Sequence, residues 1–160
     1  MTLASIKRLA VASNIVILLS CTHYEMAASK QSELDRRVEV VVTQIEHAKT
    51  AQEQQAAFAT LEGLGKPAVP YIIKHMDSRK KLLVRAIVLE NPPTSFEVYR
   101  HYRPELVVDA VVAILNQLTG MYFGNVYNGA DDETRARTVA GWRTWCSKEY
   151  VDVPDGCVPD

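Results

Sequence analysis

Little in this sequence is of the kind from which reaction centres are usually built. It holds three cysteines and four histidines in 160 residues. There is no His-Glu-x-x-His, no Cys-x-x-Cys, no phosphate-binding glycine loop and no Gly-x-Ser-x-Gly elbow. Those absences exclude the motif-bearing zinc proteases, dithiol redox proteins, P-loop nucleotidases and serine hydrolases. His23, His47, His75 and His101 lie at spacings that define no metal site. Charge of one sign is also missing: the formal net charge is −1, which is not the footprint of a nucleic-acid binder. The chain is therefore expected to have no catalytic set, no metal, no cofactor and no nucleic-acid partner. Carboxylate pairs such as Asp131-Asp132 stand where helix capping already accounts for them.

What is present is apolar and helical. With 48% hydrophobic residues the chain has enough for one core. The longest apolar run outside the N-terminus is Pro104 to Gly120, punctuated at both ends. Pro104 and Glu105 suit a first helical turn, and Gly120 is placed to take the left-handed conformation that closes a helix. At 100° per residue Val107, Val111, Ile114, Leu115 and Leu118 share a face, and Asp109 and Asn116 fall opposite. This segment is expected to be the core element, with Ile114 as its anchor.

The periodicity predicts further helices near 33–48, 52–62, 67–76 and 132–148. The first buries Leu34, Val38, Val41, Val42, Ile45 and Ala48 and leaves His47 on its polar side. The second buries Ala56, Ala57, Phe58 and Leu61. The last, capped by Asp131 or Asp132, buries Ala136, Val139, Trp142 and Cys146. Segment 82–89 is apolar and β-branched, so helix and extended strand both remain open there, and Pro92-Pro93 ends either.

Residues 1–20 read as a secretory signal. Lys7 and Arg8 form a positive start, Leu9 to Leu19 an apolar core, and Ser20 a small residue before Cys21. These eleven residues, interrupted by Ser13 and Asn14, fall short of the roughly 20 needed to cross a bilayer. A buried N-terminal helix is the alternative. The ending Leu18-Leu19-Ser20-Cys21 resembles the lipobox of bacterial lipoproteins. That resemblance implies a lipid on Cys21 as the new N-terminus, and Thr22 after it implies the outer membrane, facing the periplasm. Residues 21–32 would then be a tether, 33–150 a helical domain and 151–160 a tail. With Cys21 used for lipid, Cys146 and Cys157 are an even pair that an oxidising compartment lets close. A free buried thiol at Cys146 is the competing expectation. Without Lys7 and Arg8, sixteen basic side chains face nineteen acidic ones, a formal charge of −3.

Gly63-Leu64-Gly65 followed by Pro67-Ala68-Val69-Pro70 and a short apolar helix resembles the inner half of a HEAT repeat, over roughly residues 51–77. The run Leu118-Thr119-Gly120, then Phe123-Gly124, a polar loop and Trp142-Arg143-Thr144-Trp145, is similar to the end of many bacterial HEAT-like proteins. No second Pro-Ala-Val-Pro occurs. The resemblance implies an all-α fold of stacked helical hairpins.

Two groups of side chains are candidates for contact. Lys74, Arg79, Lys80, Lys81 and Arg85 form a basic group that is either a solvated turn or a contact for lipid headgroups, polysaccharide or an acidic partner. Tyr99, Tyr102, Tyr122 and Tyr127 lie in two aromatic segments that suit either an interface or loops covering a helix. The expected function is a non-enzymatic, membrane-tethered envelope module that binds a protein partner. A narrower version is an immunity or accessory protein against an envelope-acting toxin. The alternative class is an envelope enzyme acting on peptidoglycan or glycan.

Overall fold

The structure, a computed structural model, describes residues 10–91, 96–153 and 156–158, with side chains from residue 29 onward. The start of the signal segment, the side chain of Cys21 and the Pro92-Pro93 stop lie outside the described residues. Contact clustering divides the chain into two compact units, Met1–Glu33 and Leu34–Asp160. Within the described residues there are five α-helices, a short 3-10 turn and one two-stranded antiparallel sheet. The fold is helix-rich, and the sheet corrects the all-α expectation. No helix among the described residues is long and apolar enough to cross a membrane.

Helix α1 spans Ala10–His47 and so starts well before the Ser32 boundary that the sequence suggests. Ala27, Ala28, Lys30 and Gln31 are all good helix formers, so Ser29 and Ser32 do not stop the backbone. In the second unit, α1 buries Val38, Val41, Val42 and Ile45, and His47 is exposed, as its period requires. Helix α2 (Ala51–Gly63) opens on a capping box: Thr50 accepts from the Glu53 amide, and the Glu53 carboxylate accepts from the Thr50 amide. It buries Ala57, Phe58 and Leu61 as expected, but the polar Gln54 joins them on the inner face while Ala56 is exposed. Gln54 earns its burial by three hydrogen bonds. Its Nε2 donates to the Ile45 carbonyl (2.9 Å), and its Oε1 accepts from the amides of Leu83 (2.7 Å) and Val84 (3.1 Å).

The Pro67 turn is a 3-10 helix, Lys66–Ala68, that runs into α3 (Val69–Lys74), shorter than the sequence suggests. From there to β1 the chain is irregular. Lys80 to Leu82 lies extended against Glu105 to Val107, with Leu82 N donating to Glu105 O and Val107 N to Lys80 O. That pairing holds Glu105 and Leu106 out of the helix, so α4 is Val107–Thr119 and Pro104 precedes it. Every residue of α4 from Val107 to Leu115 is buried, Ile114 completely, and α4 touches α2, α3 and β1. Gly120 closes it at φ 71° in the left-handed region.

Asp109 does not face solvent. It is fully buried, and its carboxylate accepts from the Glu105 and Leu106 amides and from Nε and Nη2 of Arg135, at 2.7–3.1 Å. Arg135 sits on α5 (Asp132–Glu149), whose cap is Asp131 through the Thr134 amide (2.7 Å). On α5 the buried set is Arg135, Thr138, Val139, Trp142 and Cys146, with Ala136 exposed. Trp142 meets the rings of Phe123 (4.9 Å) and Trp145 (5.5 Å) edge to face.

Cys146 and Cys157 form a disulfide, with Cα atoms 5.7 Å apart. Gly156 is held at close quarters. A Cβ there would meet Pro70 Cβ at 2.8 Å and Val153 Cγ1 at 2.9 Å, so only glycine lets the tail lie this close to α3.

Candidate functional site: a tyrosine-walled cleft beside the hairpin edge

Strand β1 (Ile87–Glu90) pairs with β2 (Tyr99–Tyr102), with Ile87 opposite Tyr102 and Glu90 opposite Tyr99. The ambiguous 82–89 segment is thus a strand only from Ile87. Alternation puts Ile87, Leu89 and Tyr102 into the core, and Val88 and Glu90 outside. Facing β2 is the loop from Gly120 to Asn128. Val126 is fully buried and anchors it, and Asn128 Oδ1 accepts from the Arg103 amide (2.8 Å), which fastens the loop to the end of β2.

Between strand and loop lies a cleft of about 690 Å³. Its walls include all four tyrosines singled out in the sequence. Tyr127 stands edge-on to Tyr102 at 5.3 Å and to Tyr122 at 6.4 Å. The Tyr127 hydroxyl donates to Asn125 Oδ1 (2.9 Å). Tyr102 is buried, whereas Tyr99 is 54% exposed and Tyr122 52% exposed, so half of each ring stands free for contact. Partial desolvation, with the Tyr127 phenol beside it, holds the Tyr122 phenol above its ordinary pKa. The Tyr122 hydroxyl is therefore neutral at neutral pH. Arg100 and His101 complete the strand side of the wall and Asn116 and Asn128 the other. Aromatic rings rimmed by such polar groups suit binding.

The basic group fares differently. Lys74 is buried and pairs with Asp35 of α1 (3.2 Å). Lys80 pairs with Glu46 (3.1 Å), whose carboxyl, against the desolvation it suffers, is held below its ordinary pKa by the polar and charged side chains beside it, Ser78 and Lys80. Arg79 donates to the Met76 carbonyl (3.0 Å). Lys81 and Arg85 are exposed. None of the five lines the tyrosine cleft. Three of the five, Lys74, Arg79 and Lys80, are thus engaged by α1 carboxylates and a turn carbonyl, while Lys81 and Arg85 stand exposed.

Sequence reasoning missed Asn116 and Asn128 as wall residues. Asn128-Gly129 is a turn signal, and nothing in it foretold that the asparagine would bind β2. Among the described residues no group of three histidine, cysteine or carboxylate side chains is placed to hold a metal ion. No family model, curated protein or solved structure matches this chain.

Proposed function

We propose that this protein is a lipid-anchored module of the cell envelope that binds a protein partner through the tyrosine cleft and catalyses no reaction. The observation that carries the binding assignment is the convergence of Tyr99, Tyr102, Tyr122 and Tyr127, from two separate segments, on one cleft. Tyrosine is favoured in interface cores because its large ring is stiff and its hydroxyl tolerates water. The envelope assignment rests on the Lys7–Cys21 pattern and on the cysteine pair that an oxidising compartment closes. The outer membrane, facing the periplasm, is the destination that Thr22 favours. Within the same reading, α2 to α3 is a single HEAT-like hairpin with α4 stacked on it, and the partner belongs to the protein-interaction uses such hairpins serve.

Two experiments test it. A photoreactive amino acid at Tyr122, in cells that produce the full chain, should capture one envelope protein, and the same label at the exposed Arg137, which does not line the cleft, should not. Capture of nothing at Tyr122 would end the reading. Cys21→Ser should release the protein from the membrane fraction and abolish labelling by a fatty-acid analogue; unchanged retention with an unlabelled native protein would remove the anchor.

A further inference from the structure

The hairpin has two outer edges, and they are treated differently. In an antiparallel pair, residues alternate between exchanging both backbone hydrogen bonds with the partner and pointing both groups away. Asn91 N donates to Val98 O at 2.8 Å, which makes 91 and 98 a bonded pair. By the register, 89 with 100 and 87 with 102 are bonded pairs too. The N–H and C=O of Tyr99, His101 and Arg103 therefore point outward. The Arg103 amide is taken by Asn128, as that parity requires. On the β1 edge the Glu90 carbonyl accepts from Gln117 Nε2 (2.7 Å). Tyr99 and His101 have no such partner among the described residues, so two donors and two acceptors stand open along the cleft.

Native proteins cover, shorten or charge such an edge, because it is a template for another strand. Here the open stretch borders a cleft instead of being covered. We infer that the cleft takes an extended, acidic segment of the partner protein, which adds to the Tyr99–His101 edge as a third strand. This inference rests on the partner-binding reading above and specifies how the partner is held.

Charge selects the occupant. Arg100, His101 and Arg103 are exposed and have no carboxylate partner among the described residues, and Glu97 is the single acidic residue lining the cleft. The pleat places Arg100 and Tyr102 on one face of β2 and Tyr99 and His101 on the other. Each face of an added strand thus meets one cationic or protonatable side chain and one ring. A segment with carboxylates and apolar residues on both of its faces fits that surface. A second copy of β2 fits less well, since the register that bonds Tyr99 to His101 would set Arg100 against Arg100 across the new ladder. Main-chain bonds would supply affinity and the side chains specificity, as in other cases of strand addition.

The test uses the full chain in detergent micelles and a fluorescent blocked peptide, Asp-Val-Ile-Glu-Asp-Val-Ile-Glu, as probe. Binding is followed by anisotropy at fixed ionic strength. The acidic probe should bind at least tenfold more tightly than its counterpart with lysine at every acidic position. His101→Pro removes the outward amide and spares the β1–β2 bonds, which use 98, 100 and 102; it should weaken binding at least tenfold. His101→Ala keeps the amide and loses only the side-chain contact, so it should weaken binding clearly less than His101→Pro does. A probe methylated on every backbone nitrogen keeps its charges and should lose binding, which tests the idea without altering the protein. Equal binding of the methylated probe, equal damage from the two His101 variants, preference for the lysine probe, or self-association through β2 would each overturn strand addition. Binding of none of the probes at millimolar concentration would overturn it as well. Capture at Tyr122 in cells decides the wider reading separately, since it demands contact and not a strand.

Discussion

Asp109 and His101 are both polar residues flanked by apolar and aromatic chain, yet the fold handles them in opposite ways. Asp109 is sealed between α4 and α5 with four hydrogen bonds from two amides and one guanidinium. His101 lies on an exposed strand whose outward N–H and C=O meet nothing among the described residues. At Asp109 the chain encloses a polar group and satisfies it; at His101 it leaves backbone groups open beside a cleft. The first region is where stability should be sensitive to substitution, and the second is where binding should be.

The largest break in that comparison is expected from Asp109→Ala. Removing one member of a buried pair strands the other charge, at a cost of about 3–5 kcal/mol, and two amides lose their acceptor as well. Urea unfolding of the variant should show that loss, whereas Tyr122→Ala should shift stability by under about 0.5 kcal/mol, as exposed positions do. A small effect at Asp109 would mean that the pair is not enclosed. Ile114→Ala, with no polar group involved, should cost about 2–5 kcal/mol through lost burial and an unfilled cavity. A change under about 1 kcal/mol would contradict its burial.

Reducing the Cys146–Cys157 bond should cost about 3 kcal/mol in the chain-entropy treatment of a short loop. Intact-mass measurement should show the native protein two hydrogens lighter than its reduced form. Two freely alkylatable thiols in protein from an oxidising compartment would refute the bond.

The smallest expected effects are two of opposite sign. Glu46 has its carboxyl pKa lowered in the fold, so its stabilisation is present above the unfolded pKa and fades as pH falls through the folded one. Glu62 has its pKa raised, by desolvation first and then by the Glu90 charge, against a hydrogen bond from the Glu90 backbone. Its contribution is complete below the unfolded pKa and is lost as pH rises through the folded one. Glu46→Gln should therefore destabilise at neutral pH and Glu62→Gln should stabilise slightly. Both differences should shrink on acidification, and unfolding midpoints at neutral and acidic pH would read them.

The helices were legible because a 3.6-residue period needs only one face to be apolar, and α1, α2, α4 and α5 each supply one. What sequence could not show is which polar residue shares that face. Gln54, Asp109 and Arg135 look like surface positions until their partners, 26 to 30 residues away, are known. The start of α4 failed for a related reason, since the pairing of 80–82 with 105–107 is long-range and leaves no local mark. Strand β2 was hidden because Tyr-Arg-His-Tyr is too short to show alternation. The four tyrosines were nevertheless picked out by composition, and the disulfide by counting cysteines. Their placement in a single cleft required the tertiary fold.

The carboxylate of Asp109 does two jobs with one pair of oxygens, capping the start of α4 and receiving the guanidinium of α5. These two events cannot be separated. If α5 lifts away, Asp109 is left charged in an apolar enclosure and its grip on the Glu105 and Leu106 amides changes with it; if the first turn of α4 frays, Arg135 loses its seat. The two helices should accordingly open as one cooperative unit, and slow exchange at those two amides would report, from the beginning of one helix, on the attachment of another.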